Sequence, residues 1–174
     1  MLRTRATLKQ PVAGAFLLFF MSVTGWLVAQ ITEPDPLPIG APMPALAFRG
    51  EAGPRVLRPD GQKPTIVVWF HSECKYCQSE LDMLDAHAAE LKDVRLYLFT
   101  PEDSLFTSRI RQRWPNLATA KATGWGVVSS ARFREAFGVT ATPANYLFDP
   151  EGGLTRKSVG ETKPEFFVGK RSEG

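Results

Sequence analysis

Cys74 and Cys77 are the only cysteines in the chain, separated by Lys75 and Tyr76, and that spacing suits two-electron thiol chemistry. One thiol attacks a disulfide as its thiolate. The other, one helical turn on, attacks the mixed disulfide and frees the partner. The pair sits where a continuously apolar run, Thr65–Phe70 (TIVVWF), gives way to a helix-periodic segment, so Cys74 falls at a helix N-terminus. Unpaired amides and the helix dipole favour a thiolate there. Cys74 is therefore read as the nucleophile and Cys77 as the resolving thiol. Lys75 supports the thiolate and Glu73 opposes it, so the flanking charges set no redox potential.

Two such cysteines are also half of a tetrahedral zinc set. The only histidines are His71 and His87. His71 lies just before Cys74, whereas His87 lies about 15 Å farther along by the helical rise. One helix cannot gather all four, so redox chemistry is the stronger reading and neither metal nor cofactor is expected. His87 reads as an ordinary helix residue and His71 as a side chain able to tune Cys74. A tethered thiol chaperone, or a tethered module whose cysteines hold copper or zinc, stays open as the non-enzymatic alternative.

The elements that must position these residues follow from apolar pattern. Thr65–Phe70 reads as a strand buried on both faces. Leu81, Leu84, Ala88 and Leu91 then repeat at helical spacing. Val94–Phe99 predicts a second buried strand, and Glu102–Trp114 a helix closed by Pro115. Ser130–Phe137 predicts a helix ending at Gly138, Tyr146–Phe148 a strand, Asp149–Gly152 a turn, and Leu154–Val159 the returning strand of a hairpin. A last short helix is expected from Pro164 through Phe167. Alternating strands and helices imply a central sheet covered on both faces, an α/β fold.

With 174 residues, 44% hydrophobic and 22% charged, the composition is globular, and a disulfide staple is not needed for folding. The net charge of +3 comes from Arg3, Arg5 and Lys9; from Thr32 onward 18 basic residues face 18 acidic ones. The folded part lacks the positive field that phosphate binding uses, which argues against a nucleic-acid partner. Arg109, Arg111 and Arg113 read as a solvated helix face rather than a docking patch.

Residues 1–10 read as a basic cytoplasmic tail and 11–31 (PVAGAFLLFFMSVTGWLVAQI) as an uncharged stretch that spans roughly 30 Å as a helix. The basic residues before it orient the remainder outside the cytoplasm. A single-pass anchor in the inner membrane, with the thiol pair on the periplasmic or extracytoplasmic side, is therefore expected. A cleaved signal peptide shares the basic start and apolar run, but Leu27 and Ala29 form a poor cleavage pair. Residues 32–44, with prolines at 34, 36, 38, 42 and 44, read as a stiff tether reaching up to ~40 Å if none of it packs on the domain. Residues 45–174 form that domain.

From Gly40 to Pro164 the chain resembles the thioredoxin superfamily, specifically its membrane-anchored TlpA-like branch, associated with cytochrome c maturation and other periplasmic thiol chemistry. GAPMPALAF, TIVVWFHSECKYCQSE and GVTATPANYLFDPEGGLTRKSVG carry the resemblance. It implies a thioredoxin-like fold with a central mixed sheet, and a cis bond before Pro143 that turns the Thr142 backbone toward a substrate strand. Glu80 matches the glutamate of the C-x-x-C-x-x-E pattern of that branch, where a partly buried carboxylate can take the proton of Cys77. The resemblance further implies protein disulfides or dithiols as substrates and a membrane electron-donor protein that keeps the pair reduced. An oxidase or isomerase for secreted proteins uses the same residues. Two departures stand out. Glu73 replaces the tryptophan common before the first cysteine, which changes the rim that meets substrates. Val68 stands where thioredoxin itself carries a buried aspartate, which favours Glu80 for the proton.

Overall fold

The computed structural model describes residues 18–24, 37–59, 61–103, 109–139 and 141–167. Contacts divide the chain into a leading unit, Met1–Asp35, and a second unit, Pro36–Gly174. Within the first, residues 18–24 form a short helix, α1, whose Leu18, Phe19, Phe20 and Met21 are exposed. The rest of the expected span 11–31 lies outside the described residues. Among the described residues no helix is long and apolar enough to cross a membrane.

The second unit is built on strands β1 (Ala47–Gly50), β2 (Gly53–Val56), β3 (Thr65–Trp69), β4 (Arg95–Thr100), β5 (Thr123–Val127), β6 (Ala144–Phe148) and β7 (Leu154–Val159). They form one sheet in the order β2-β1-β5-β4-β3-β6-β7. β3, β4 and β5 run parallel, while β6, β7, β1 and β2 join antiparallel, so the sheet is mixed. The helices are α2 (Lys75–Ala86), α3 (Arg109–Arg113), α4 (Pro115–Thr119), α5 (Ser130–Phe137) and α6 (Pro164–Phe167).

Every residue of β3 is buried because its alternating side chains feed two cores. Val67 and Trp69 face a layer with Phe133 and Phe137 of α5, and the Trp69 and Phe133 rings stack at 4.3 Å. Ile66 and Val68 face the opposite layer, which receives Cys77, Leu81 and Leu84 from α2, Leu117 from α4 and Phe167 from α6. Burial of both faces stabilises the central strands by about 2 kcal/mol for each large side chain. The same burial fixes where β3 ends and hence where the cysteines emerge.

The helix ends follow local chemistry. Ser129 caps α5 by accepting from the Arg132 amide, and Gly138 closes it at φ 75 in the left-handed region, where a Cβ is disfavoured. The expected single helix over Glu102–Trp114 needs correction at its end. The backbone leaves α3 after Arg113, Trp114 turns into the core, and Pro115 opens α4 as its first residue. Proline suits that position because an N1 amide has no intrahelical partner to lose. The Trp114 indole is fixed by a 2.6 Å bond to Asp82. Residues 104–108 lie outside the described residues. Arg111 and Arg113 pair with Glu51 and Asp82, while the side chain of Arg109 lies outside them.

Sequence pattern did not disclose β1, β2 or β5, which are short and interrupted by Gly or Pro. In β5, Gly126 lies between two aromatic rings: an added Cβ would stand 2.6 Å from Phe48 and from Phe99. The condition on the tether's reach also fails. Leu37 is buried, Gly40 and Met43 donate to the carbonyls of Leu154 and Gly152, and Pro42 bridges to Gly153. The segment from Leu37 is therefore part of the folded unit.

Candidate active site

β3, an interior strand, delivers the chain to the carboxyl end of the parallel strands, where the Phe70 amide still bonds to Phe99 of neighbouring β4 at 2.9 Å. A turn through His71–Glu73 follows, and Cys74 begins α2 as its N-cap. The backbone of Cys74 is extended, and its Sγ accepts from the Cys77 amide at 3.4 Å. A cysteine thus occupies the position that Ser, Asp or Asn takes in an ordinary helix, with its sulfur aimed at the unpaired amides of the first turn. Sequence position alone indicated this placement.

The two thiols differ sharply. Cys74 is partly exposed and Cys77 is 1% exposed. Burial pushes the Cys74 thiol up, but hydrogen bonds from the Cys77 side chain and amide, the Thr142 side chain and the Tyr76 amide outweigh it and hold Cys74 below its ordinary value. Burial pushes Cys77 up to about 12, reinforced by the neighbouring Cys74 thiol and only partly offset by the His71 backbone and the Thr142 side chain. One sulfur is set up to ionise and the other to stay protonated.

The Thr142–Pro143 peptide is cis. β6 pairs antiparallel with β3 so that Ala144 lies opposite Trp69, and this register brings the preceding Thr142 and Pro143 to the cysteine turn. The Thr142 carbonyl lies 3.7 Å from Cys74 Sγ, where it accepts from the thiol form. All four residues of the expected thiol and substrate-strand constellation therefore converge.

Glu80, one turn beyond Cys77, is 1% exposed. Its Oε2 accepts from Asn145 Nδ2 at 3.0 Å and from the Thr162 amide at 2.9 Å. Burial raises its carboxyl to about 7, opposed by the Asn145 and Thr162 bonds and aided by the charge of Glu161. Oε1 of Glu80 and Oδ1 of Asn145 have no hydrogen-bond partner among the described residues. Sequence reasoning missed Asn145 and Thr162. The available signal was one amide in an otherwise apolar strand, ANYLF, and Asn145 lies opposite Val68 in the register.

The histidines are engaged elsewhere. His71 Nδ1 lies 3.6 Å from Glu102 and 3.4 Å from the Glu73 amide, and His87 Nδ1 lies 2.9 Å from the Met83 carbonyl. Among the described residues no group of three His, Cys, Asp or Glu side chains is placed to hold a metal ion.

No protein-family profile matches the chain, and no curated protein matches it. Solved structures do. A peroxiredoxin-like protein from Aquifex aeolicus aligns with TM-score 0.63 at 13% identity over 78% of this chain and 86% of its own. The thioredoxin domain of a thiol-disulfide oxidoreductase from Bacteroides vulgatus aligns with TM-score 0.55 at 17% identity over 76% and 94%. A thio-disulfide isomerase from Thermus thermophilus aligns with TM-score 0.54 at 21% identity over 74% and 91%. At such identities the likeness establishes the fold, which is thioredoxin-like: a central mixed sheet with helices on both faces.

Proposed function

We propose that this protein is a membrane-anchored, extracytoplasmic thiol-disulfide oxidoreductase that reduces disulfides in protein substrates through Cys74 and Cys77. The observation that carries the reading is the asymmetry of the pair on this fold: a partly exposed sulfur at a helix cap beside the cis Thr142–Pro143 peptide, with a buried thiol behind it. The thio-disulfide isomerase and the oxidoreductase domain among the structural neighbours are consistent with it. The basic start and the uncharged stretch 11–31 support the anchor and its orientation.

In the first step the Cys74 thiolate attacks one sulfur of the substrate disulfide. The other sulfur leaves as a thiolate and a mixed disulfide remains. The Thr142 backbone aligns the substrate strand as an added strand would. Cys77 must then lose its proton and attack Cys74 Sγ, releasing the second substrate thiolate and leaving a Cys74–Cys77 disulfide. Two electrons pass from the pair to the substrate. Cys74 itself contributes to the elevated pKa of Cys77, and that contribution disappears once Cys74 is held in the mixed disulfide. The resolving thiol therefore becomes easier to ionise at the step that uses it, and Glu80, titrating at about 7, accepts its proton. A membrane dithiol protein supplying electrons closes the cycle in an oxidising compartment.

The deciding measurement is the reduction potential of the pair in the full chain, held in detergent and equilibrated against dithiothreitol or glutathione. A value of about −250 mV or lower is expected, in the range of thioredoxin-like reductants. A value near about −120 mV would instead mark an oxidase or isomerase. Failure of the pair to form a disulfide would transfer support to a metal-holding module.

A further inference from the structure

Glu102 follows β4 and belongs to neither the thiol pair nor the Glu80 cluster. Its carboxylate is nonetheless among the most heavily engaged polar groups at this end of the sheet. Oε2 accepts from the Ser72 amide at 2.8 Å and from the Thr100 hydroxyl at 2.9 Å, and Oε1 accepts from the Ser72 hydroxyl at 2.5 Å. Burial raises its carboxyl, but the Ser72 and Thr100 bonds and the nearby His71 outweigh this and hold it below the usual carboxylate range. Three donors converge on one side chain, an arrangement that suits an ionised carboxylate, which only accepts and does so through both oxygens.

The grip falls on one particular peptide unit. The Ser72 amide and the His71 carbonyl belong to the same planar group. While the N–H donates to Glu102, the carbonyl accepts from the Cys74 amide at 3.1 Å. The next peptide along is held too, because the Ser72 carbonyl accepts from Gln78 Nε2 at 2.6 Å. The turn that presents Cys74 is therefore tied to β4 on one side and to α2 on the other. A charged acceptor on the N–H also polarises the His71 carbonyl and strengthens its bond to Cys74.

We propose that Glu102 is a positioning residue for the cysteine pair: by gripping Ser72 it fixes the His71–Ser72 peptide against which the Cys74 amide is held, and so keeps Cys74 Sγ on the helix cap. The inference rests on the reading of Cys74 as the reactive thiol. Its electrostatic consequence has a definite sign. A carboxylate acting only through its charge would oppose the Cys74 thiolate, so removing the charge would make ionisation easier. A carboxylate acting by position holds the sulfur over the first-turn amides, so removing it makes ionisation harder.

The test is the pH profile of Cys74 alkylation by iodoacetamide in the reduced full chain in detergent, read by mass spectrometry at that residue, for wild type, Glu102→Gln and Ser72→Ala. Glutamine accepts through one oxygen only and must turn an NH2 toward a donor. Glu102→Gln should move the ionisation midpoint upward and slow alkylation at any pH below the wild-type midpoint by about threefold to tenfold, as a shift of half a unit to one unit does there. Ser72→Ala keeps the amide bond and loses the hydroxyl bond, so it should shift the midpoint in the same direction by less. An unchanged or lowered midpoint in Glu102→Gln, with wild-type circular dichroism, overturns the proposal. If Glu102→Gln does not fold, an unchanged midpoint in Ser72→Ala overturns it alone. The readout needs no substrate: a pair that forms no disulfide would sink the oxidoreductase reading and leave this test standing.

Discussion

Glu80 and the two cysteines lie along one face of α2, yet the fold treats each differently. Cys74 stays at the solvent edge, Cys77 is buried behind it, and Glu80 is buried one turn on against β6. Burial raises the Glu80 carboxyl while the bonds from Asn145 and Thr162 oppose it, and the balance leaves it at about 7. A group poised there exchanges protons in both directions at neutral pH, as a base serving Cys77 must. In Glu80→Gln the pH–rate profile of disulfide reduction should lose its inflection near that value, with the rate at pH 8 lowered by about a hundredfold or more, the lower end of a general-base contribution. Stopped-flow reduction of a peptide disulfide between pH 5 and 9 makes the comparison. Superimposable profiles would remove Glu80 from the mechanism while leaving the two thiols in place.

At the scale of elements, the sheet depends on a close approach at β5. Gly126 pairs with Gly50 and with Phe99, and a side chain there would run into the rings of Phe48 and Phe99. Those rings lie in the core layer shared with α5. Gly126→Ala should therefore destabilise the domain by about 1–3 kcal/mol through overpacking, visible as a lowered urea midpoint; an unchanged midpoint would mean the rings move aside freely. The same glycine shows why parts of the fold were not legible in sequence. β3, β4 and α5 announce themselves by apolar runs, helical spacing and the glycine after Phe137. In β5 the residues that fit are those that make TGWGV a poor strand by pattern, and β1 and β2 carry Arg49, Arg55, Gly53 and Pro54 in short spans. The site divides in the same way. Cys74 and Cys77 are legible because their spacing is local. The role of Pro143 came from resemblance. Asn145, Thr162 and Glu102 depend on register between segments from 30 to 82 residues apart, which composition and periodicity do not encode.

For the molecule as a whole, the balance of charge from Thr32 onward leaves little net repulsion to drive unfolding at neutral pH, so the pH dependence of stability falls to individual buried groups. Glu80 dominates the range from weak acid to neutrality. Its carboxyl rises from 4.5 to about 7 on folding, so between those values the native state holds a proton that the unfolded chain has released. Stability must then decline as pH rises. The contribution is fully present below 4.5 and lost as pH passes the folded value, by up to about 3 kcal/mol. Asp82 and Glu102 act in the opposite sense, because their carboxyls are lowered on folding; they lose stability only as pH falls through the acidic range. Cys77, raised to about 12, adds a further loss in alkaline solution above the ordinary thiol range. The wild-type curve should therefore peak near pH 5 and fall toward pH 8. Glu80→Gln keeps an acceptor for Asn145 and Thr162 and removes the charge, so it should flatten that fall and unfold at a higher urea concentration than wild type at pH 8, with little difference at pH 4.5. Parallel curves for the two proteins would show that Glu80 is solvated on folding rather than buried as a proton-holding acid.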